Sequence, residues 1–171
     1  MNNLWLELRL GPKAPDIVYA IVETPKGQRN KTEYNINSGA LVLNRTLASS
    51  LHYPGDYGLI PQTFFEDGEP MDILTMTGEP TFPGCVIQAR PVGILRLLDA
   101  DHHDDKVLAV AATDPLFAQY QGLKDIPPHF LREMQHFFET YKDLEGGKRA
   151  KALGWEDETA AKEAILRAHQ V

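Results

Sequence analysis

Two short stretches of this chain gather side-chain oxygens in a way that could do chemistry. One is Glu66-Asp67-Gly68-Glu69-Pro70-Met71-Asp72, and the other is Asp99-Ala100-Asp101-His102-His103-Asp104-Asp105-Lys106. Each leads into an apolar segment, Ile73-Leu74 and Val107-Leu108-Ala109-Val110 respectively. A carboxylate at the end of a strand is held by that strand, so several can be aimed at one point. Oxygen-only donor sets select hard divalent cations such as Mg²⁺ or Mn²⁺ over zinc. Solvated acidic loops are the other common use of such runs. An EF-hand is excluded, because its sixth position must be glycine, and Asp72 or Asp104 stands there. A phosphate-cradling Gly-x-x-x-x-Gly-Lys-Ser/Thr loop is absent from the sequence. His102 and His103 lack a third histidine at ligand spacing and read as surface loop residues.

The elements that would position these carboxylates follow from periodicity. Val18–Glu23, Lys31–Ile36, Ala40–Leu43, Met71–Met76, Val86–Leu95 and Lys106–Ala112 read as strands. In Lys31–Ile36 the alternation puts Lys31, Glu33 and Asn35 on one face and Thr32, Tyr34 and Ile36 on the other. Turn pairs such as Lys26-Gly27, Ser38-Gly39 and Pro83-Gly84 separate the strands. Many short strands punctuated this way suggest a small barrel. After Pro127-Pro128, apolar residues recur at Phe130, Leu131, Met134, Phe137, Phe138 and Tyr141, which is a helical stripe. A second helix is expected from about Glu156 to Ala168. The fold class is α+β and β-rich, read as one domain over residues 1–171.

Bulk properties narrow the function. A formal charge of −7 over 171 residues argues against a nucleic-acid partner, which needs a basic surface. It leaves room for a small phosphate ligand if divalent cations lie between anion and protein. The single cysteine, Cys85, sits in an apolar stretch and is expected to be a small buried side chain, not a nucleophile. With no apolar leader at the N-terminus and no run of membrane-spanning length, the expectation is a cytoplasmic protein without a membrane partner.

Between the strands lies Tyr53-Pro54-Gly55-Asp56-Tyr57-Gly58, followed by Asp67-Gly68-Glu69-Pro70-Met71-Asp72. This order resembles the family I soluble inorganic pyrophosphatases, whose signature is an Asp-x-Asp-Pro-x-Asp run after a Tyr-Pro-x-x-Tyr-Gly loop. The likeness continues through Ser38-Gly39-Ala40-Leu41 with Arg45, through Arg90-Pro91-Val92-Gly93 leading to Asp99, Asp104 and Lys106, and through His136–Glu145 and Gly154-Trp155. It covers about residues 15–168. The resemblance implies a five-stranded OB-like closed barrel with two flanking C-terminal helices. It further implies hydrolysis of pyrophosphate to two phosphates and a homohexamer.

Carried over residue by residue, the resemblance implies that Asp67, Asp72, Asp99 and Asp104 ligate several Mg²⁺ ions, with Glu23 helping to hold a further one and Mn²⁺ a possible substitute. Lys31, Arg45, Lys106, Tyr141 and Lys142 would bind phosphate oxygens, and Tyr53, Tyr57 and Glu33 would complete the polar lining. Glu69 would act as general base toward the attacking water, and Asp67, Arg45 and Tyr57 would join it in catalysis. Most members of the family carry aspartate at the position of Glu69, and Asn44, Asp56 and Ala100 also depart from its common choices. An extra methylene moves a carboxylate by roughly an ångström, a shift that can cost on the order of 10²-fold in rate. Two alternatives stay open: a relative slowed by Glu69, and a barrel that binds an anionic polymer without catalysis.

Overall fold

The computed structural model describes residues 2–170. A one-turn helix α1 (Leu4–Glu7) opens the chain, with the Asn3 side chain accepting from the Trp5 and Leu6 N–H groups. The strands then run β1 (Val18–Thr24), β2 (Asn30–Tyr34), β3 (Leu41–Thr46), β4 (Asp56–Leu59), β5 (Asp72–Met76) and β6 (Val86–Asp99). After them come β7 (His102–His103), β8 (Lys106–Ala111), helix α2 (Pro128–Thr140), β9 (Lys151–Asp157) and helix α3 (Glu158–Ala168). Among the described residues no helix is long and apolar enough to cross a membrane.

Five strands pair into a ring. β1 runs antiparallel to β4, and β4 to β5; β5 lies parallel to β8, β8 antiparallel to β6, and β6 returns to β1. This is the expected OB-like arrangement. β6 serves four neighbours, β1, β7, β8 and β9, because it is long, and its register shifts between Pro91 and Gly93. Proline has no N–H to give a ladder, so a bulge is where a strand tolerates it. The first part of β6 pairs with β1, and beyond the bulge Gly93–Leu98 pairs with β9.

Successive β8 residues point to opposite sides. Val107, Ala109 and Ala111 pack with Ala161, Ala164, Ile165 and Ala168 of α3, whereas Leu108 and Val110 pack with Met134, Phe137 and Phe138 of α2. Both sides of the strand are covered, which explains why it reads as an unbroken apolar run. The helical stripe after Pro127-Pro128 is buried as expected.

Several expectations need correction. β2 and β3 form a hairpin of their own outside the ring. Residues 56–59, read as part of a loop, are a strand; the glycine-rich pattern hid it. β9 was missed altogether, and α3 starts later than Glu156, because Trp155 and Glu156 pair with Leu95 and Ile94. Asp157 then caps the helix by accepting from Ala160 N–H at 3.1 Å. Cys85 is half-buried at the margin of the α3-side core, because it directly follows the surface turn at Gly84. His102 and His103 are exposed.

Asp56 is a structural residue. It is buried, and its carboxylate accepts from Lys26 N–H at 2.9 Å, Thr81 N–H at 2.9 Å and the Thr81 hydroxyl at 2.5 Å, tying two loops to the start of β4. Gly58 is required by close approach. A Cβ there would lie 1.9 Å from the Ile21 carbonyl oxygen and 2.8 Å from its carbon, backbone atoms that cannot step aside. Gly58→Ala should therefore destabilise the protein by about 3 kcal/mol or more, read from urea or thermal melts. An unchanged midpoint would contradict the β1–β4 packing described.

Candidate active site

The parallel pairing of β5 with β8 makes Asp72 and Lys106 Cα partners at the strands' first residues. The Lys106 side chain is almost fully buried. Its ammonium donates to Asp72 Oδ2 at 2.5 Å, Asp104 Oδ1 at 2.9 Å and the Tyr57 hydroxyl at 3.0 Å. Three donors thus meet three acceptors. The rings of Tyr57 and Phe138 lie 5.5 and 5.3 Å away, within cation–π range. Burial alone would lower the lysine pKa, but Asp72 and Asp104 overcome it and hold the ammonium well above its ordinary value. Burial raises the Asp72 carboxyl, with Lys106 opposing. Burial, with Asp72 next, likewise pushes the Tyr57 phenol well up, so it stays protonated.

Around this cation lies a cleft of about 530 Å³. Glu23 enters it from β1, Lys31 and Glu33 from β2, and Tyr57 from β4. Asp67 and Glu69 come from the turn ahead of β5, which supplies Asp72; Asp104 and Lys106 come from the other strand start, and Tyr141 and Lys142 from the end of α2. The Asp67–Glu69 turn is exposed, and Asp67 Oδ1 accepts from Glu69 N–H at 2.9 Å. Asn35 lines the cleft on the face that the alternation assigns it. Tyr34 and Ile36 line it too, because β2 ends at Tyr34 and the alternation lapses there. Val42, Leu59 and Pro70 are apolar lining without a chemical signature in the sequence.

Three predicted residues lie elsewhere. Tyr53 is buried behind the wall, stacked on Tyr57 at 5.3 Å and tilted against Phe137 at 4.8 Å. Burial, with Tyr141 next, raises its pKa beyond the ordinary phenol value. Asp99 reaches the rim, where Lys142 Nζ donates to it at 2.6 Å. Arg45 does not line the cleft; its guanidinium grips Glu145, a residue that the sequence did not single out, at 2.6 and 3.0 Å. Asn44, one of the departures, bridges the hairpin by donating to Glu33 at 3.2 Å and accepting from Arg45 at 2.8 Å. Ala100 sits in the left-handed region at φ 51°, in the tight turn between β6 and β7.

Six carboxylates thus face three ammonium groups in the cleft, and no cysteine or histidine lines it. Such an oxygen-rich, net-negative lining fits hard divalent cations. Among the described residues, no three of these groups are drawn into a ready cage; Lys106 stands between Asp72 and Asp104.

The comparisons with known proteins agree with this geometry. The family model described as inorganic pyrophosphatase matches residues 20–171, a span containing every cleft residue named above. The chain belongs to the inorganic pyrophosphatase family. Inorganic pyrophosphatase from Haloferax volcanii is 51% identical over 168 residues, covering 98% of this chain and 95% of the relative. Its counterpart from Halobacterium salinarum is 47% identical, covering 100% and 97%. The crystal structure of inorganic pyrophosphatase from Thermus thermophilus superposes with a TM-score of 0.94 at 43% identity, covering 98% of this chain and 97% of that one. Within this family member, the Asp67–Asp72 stretch that carried the resemblance forms one side of the cleft.

Glu23 yields a prediction. Burial, then Asp72, then Glu33 raise its carboxyl well above the ordinary value of 4.5, with Lys31 opposing. A raised carboxyl pKa means that the folded state holds the proton more tightly. The resulting stability is present below pH 4.5 and is lost as pH rises through the folded value. Glu23→Gln removes that loss. In chelator, the variant should melt above wild type at neutral pH and much like it below pH 4.5. A variant that melts lower at neutral pH would refute the buried-charge penalty.

Proposed function

We propose that this chain hydrolyses inorganic pyrophosphate to two orthophosphates by in-line attack of water, without a covalent enzyme intermediate. The observation that carries the reading is the cleft that sets carboxylates against ammonium groups, in a member of this family whose relatives are named for that substrate.

Glu23, Asp67, Asp72 and Asp104, with Asp99 at the rim, would hold Mg²⁺, and Mn²⁺ could substitute. When bound, such ions acidify a coordinated water and shield phosphoryl oxygens from an incoming nucleophile. Glu69 takes or orients the proton of the attacking water, as a general base on an exposed turn. Lys31, Lys106 and Lys142 supply fixed positive charge where the leaving phosphate gains negative charge. Tyr57, kept protonated by burial, and Tyr141 offer hydroxyl donors to the same oxygens. Arg45, one strand away from Lys31 in register, adds a planar fork suited to two oxygens at once. Glu33 positions Lys31 through a 2.5 Å contact, and Tyr53 props Tyr57 from behind. The working form is a cytoplasmic homohexamer, as the resemblance suggests; exposed Leu43, Phe82 and Leu116 offer apolar surface for subunit contacts.

A polymer-binding barrel would instead offer aromatic side chains on a basic groove. Phosphate release from pyrophosphate by the purified protein, with Mg²⁺ and with chelator, tests the proposal directly. Turnover should require the metal, and its absence in Mg²⁺ would defeat the enzyme reading. Asp72→Asn should abolish turnover yet still fold, since Asp104 and Tyr57 keep Lys106 bonded; near-normal rates would remove Asp72 from the metal set. Glu69→Asp should retain or exceed the wild-type rate, and a collapse would show a site built around the longer acid.

A further inference from the structure

Every cation proposed to bind phosphate already has an internal carboxylate partner. Lys106 is paired with Asp72 and Asp104, Lys31 with Glu33, and Lys142 with Asp99. Those carboxylates line the cleft or its rim, so a divalent cation arriving there competes for them directly. Arg45 is different. Its partner Glu145 does not line the cleft.

The Arg45–Glu145 pair is bidentate, with Nε to Oε1 at 2.6 Å and an Nη to Oε2 at 3.0 Å, while the other Nη donates to Asn44. The guanidinium edge that would receive a phosphate is therefore taken by a carboxylate of the same fork geometry. The two residues are 100 positions apart and come from the β2–β3 hairpin and the turn after α2. Glu145 sits at the end of a short 3₁₀ turn, Asp143–Glu145, and is followed by Gly146 and Gly147. Both glycines have left-handed φ values, 80° and 87°, with nothing within 4 Å of where a Cβ would be. That pair of residues can re-orient without steric cost and let Glu145 withdraw.

We infer that Glu145 is an internal competitor for Arg45, holding the guanidinium away from the cleft until a phosphate anion displaces it. The inference rests on the reading that Arg45 binds phosphate. Because an anion must displace Glu145 to reach Arg45, the pair lowers the affinity of every anion that uses Arg45, pyrophosphate and product orthophosphate alike. Glu145 is thus a residue that tunes anion affinity, with no contact to the reacting atoms.

Calorimetric titration of orthophosphate in Mg²⁺, with wild type, Glu145→Gln, Arg45→Ala and the double variant, tests this. Glutamine keeps the size and one acceptor but loses the charge. If the masked state dominates, Glu145→Gln should bind orthophosphate about 3- to 10-fold tighter, since affinity scales with the competent fraction. KM for pyrophosphate should fall in parallel without a rise in kcat. Arg45→Ala should weaken binding, and adding Glu145→Gln to it should change nothing further. If Glu145→Gln binds orthophosphate like wild type or more weakly while Arg45→Ala weakens binding, the pair is only a staple and the inference fails. If Arg45→Ala leaves orthophosphate affinity unchanged, the phosphate role of Arg45 falls and takes the inference with it. Pyrophosphate turnover by wild type is independent of both results.

Discussion

The Lys106 ammonium sits among Asp72, Asp104 and Tyr57, with the rings of Tyr57 and Phe138 flanking it. Removing either sign from such a buried set would leave the other uncompensated, an error that costs several kcal/mol. The arrangement is fixed by backbone, because parallel pairing of β5 and β8 sets Asp72 opposite Lys106 before any side chain chooses a rotamer. The closed ring behind it keeps those strand ends from drifting. The rest of the cleft is arranged around this point. Tyr57 is braced by Tyr53 and Phe138, and the end of α2 brings Tyr141 and Lys142 to the cleft.

The cleft's charge sets its behaviour. Its lining is net negative, so a free polyanion meets repulsion, and its cations are already engaged by carboxylates. Divalent ions that bind the carboxylates would relieve both conditions together, lowering the negative charge and releasing lysines. Binding of cation and binding of anion are then coupled in the thermodynamic sense, each strengthening the other. An acidic protein can serve an acidic ligand on these terms.

Much of this was legible in the sequence, and particular residues show why. Val18–Thr24, Asp72–Met76 and Lys106–Ala111 were visible as strands because their burial on one or both sides leaves a periodic or continuous apolar trace. The acidic signature showed Asp67, Asp72 and Asp104 because carboxylates clustered beside strands are local in sequence. Asp56–Leu59 was hidden because Gly58 is demanded by the neighbouring Ile21 backbone, a constraint that reads as a loop. Lys151–Asp157 was hidden because three of its residues are charged and its pairing with β6 is distant in sequence. Glu145 left no trace, since its meaning comes from Arg45, far away along the chain.

The ring has a consequence for synthesis. β5 and β8 lie side by side in parallel, yet the long β6 intervenes between them in the chain, and Tyr141 and Lys142 arrive only after α2. Contacts this non-local form late and slowly. As the polypeptide leaves the ribosome, Asp67 and Asp72 emerge well before Lys106 and Lys142, and no partial product owns a complete cleft. A cleft with both walls therefore exists only once the last third of the chain, which carries Tyr141 and Lys142, is in place.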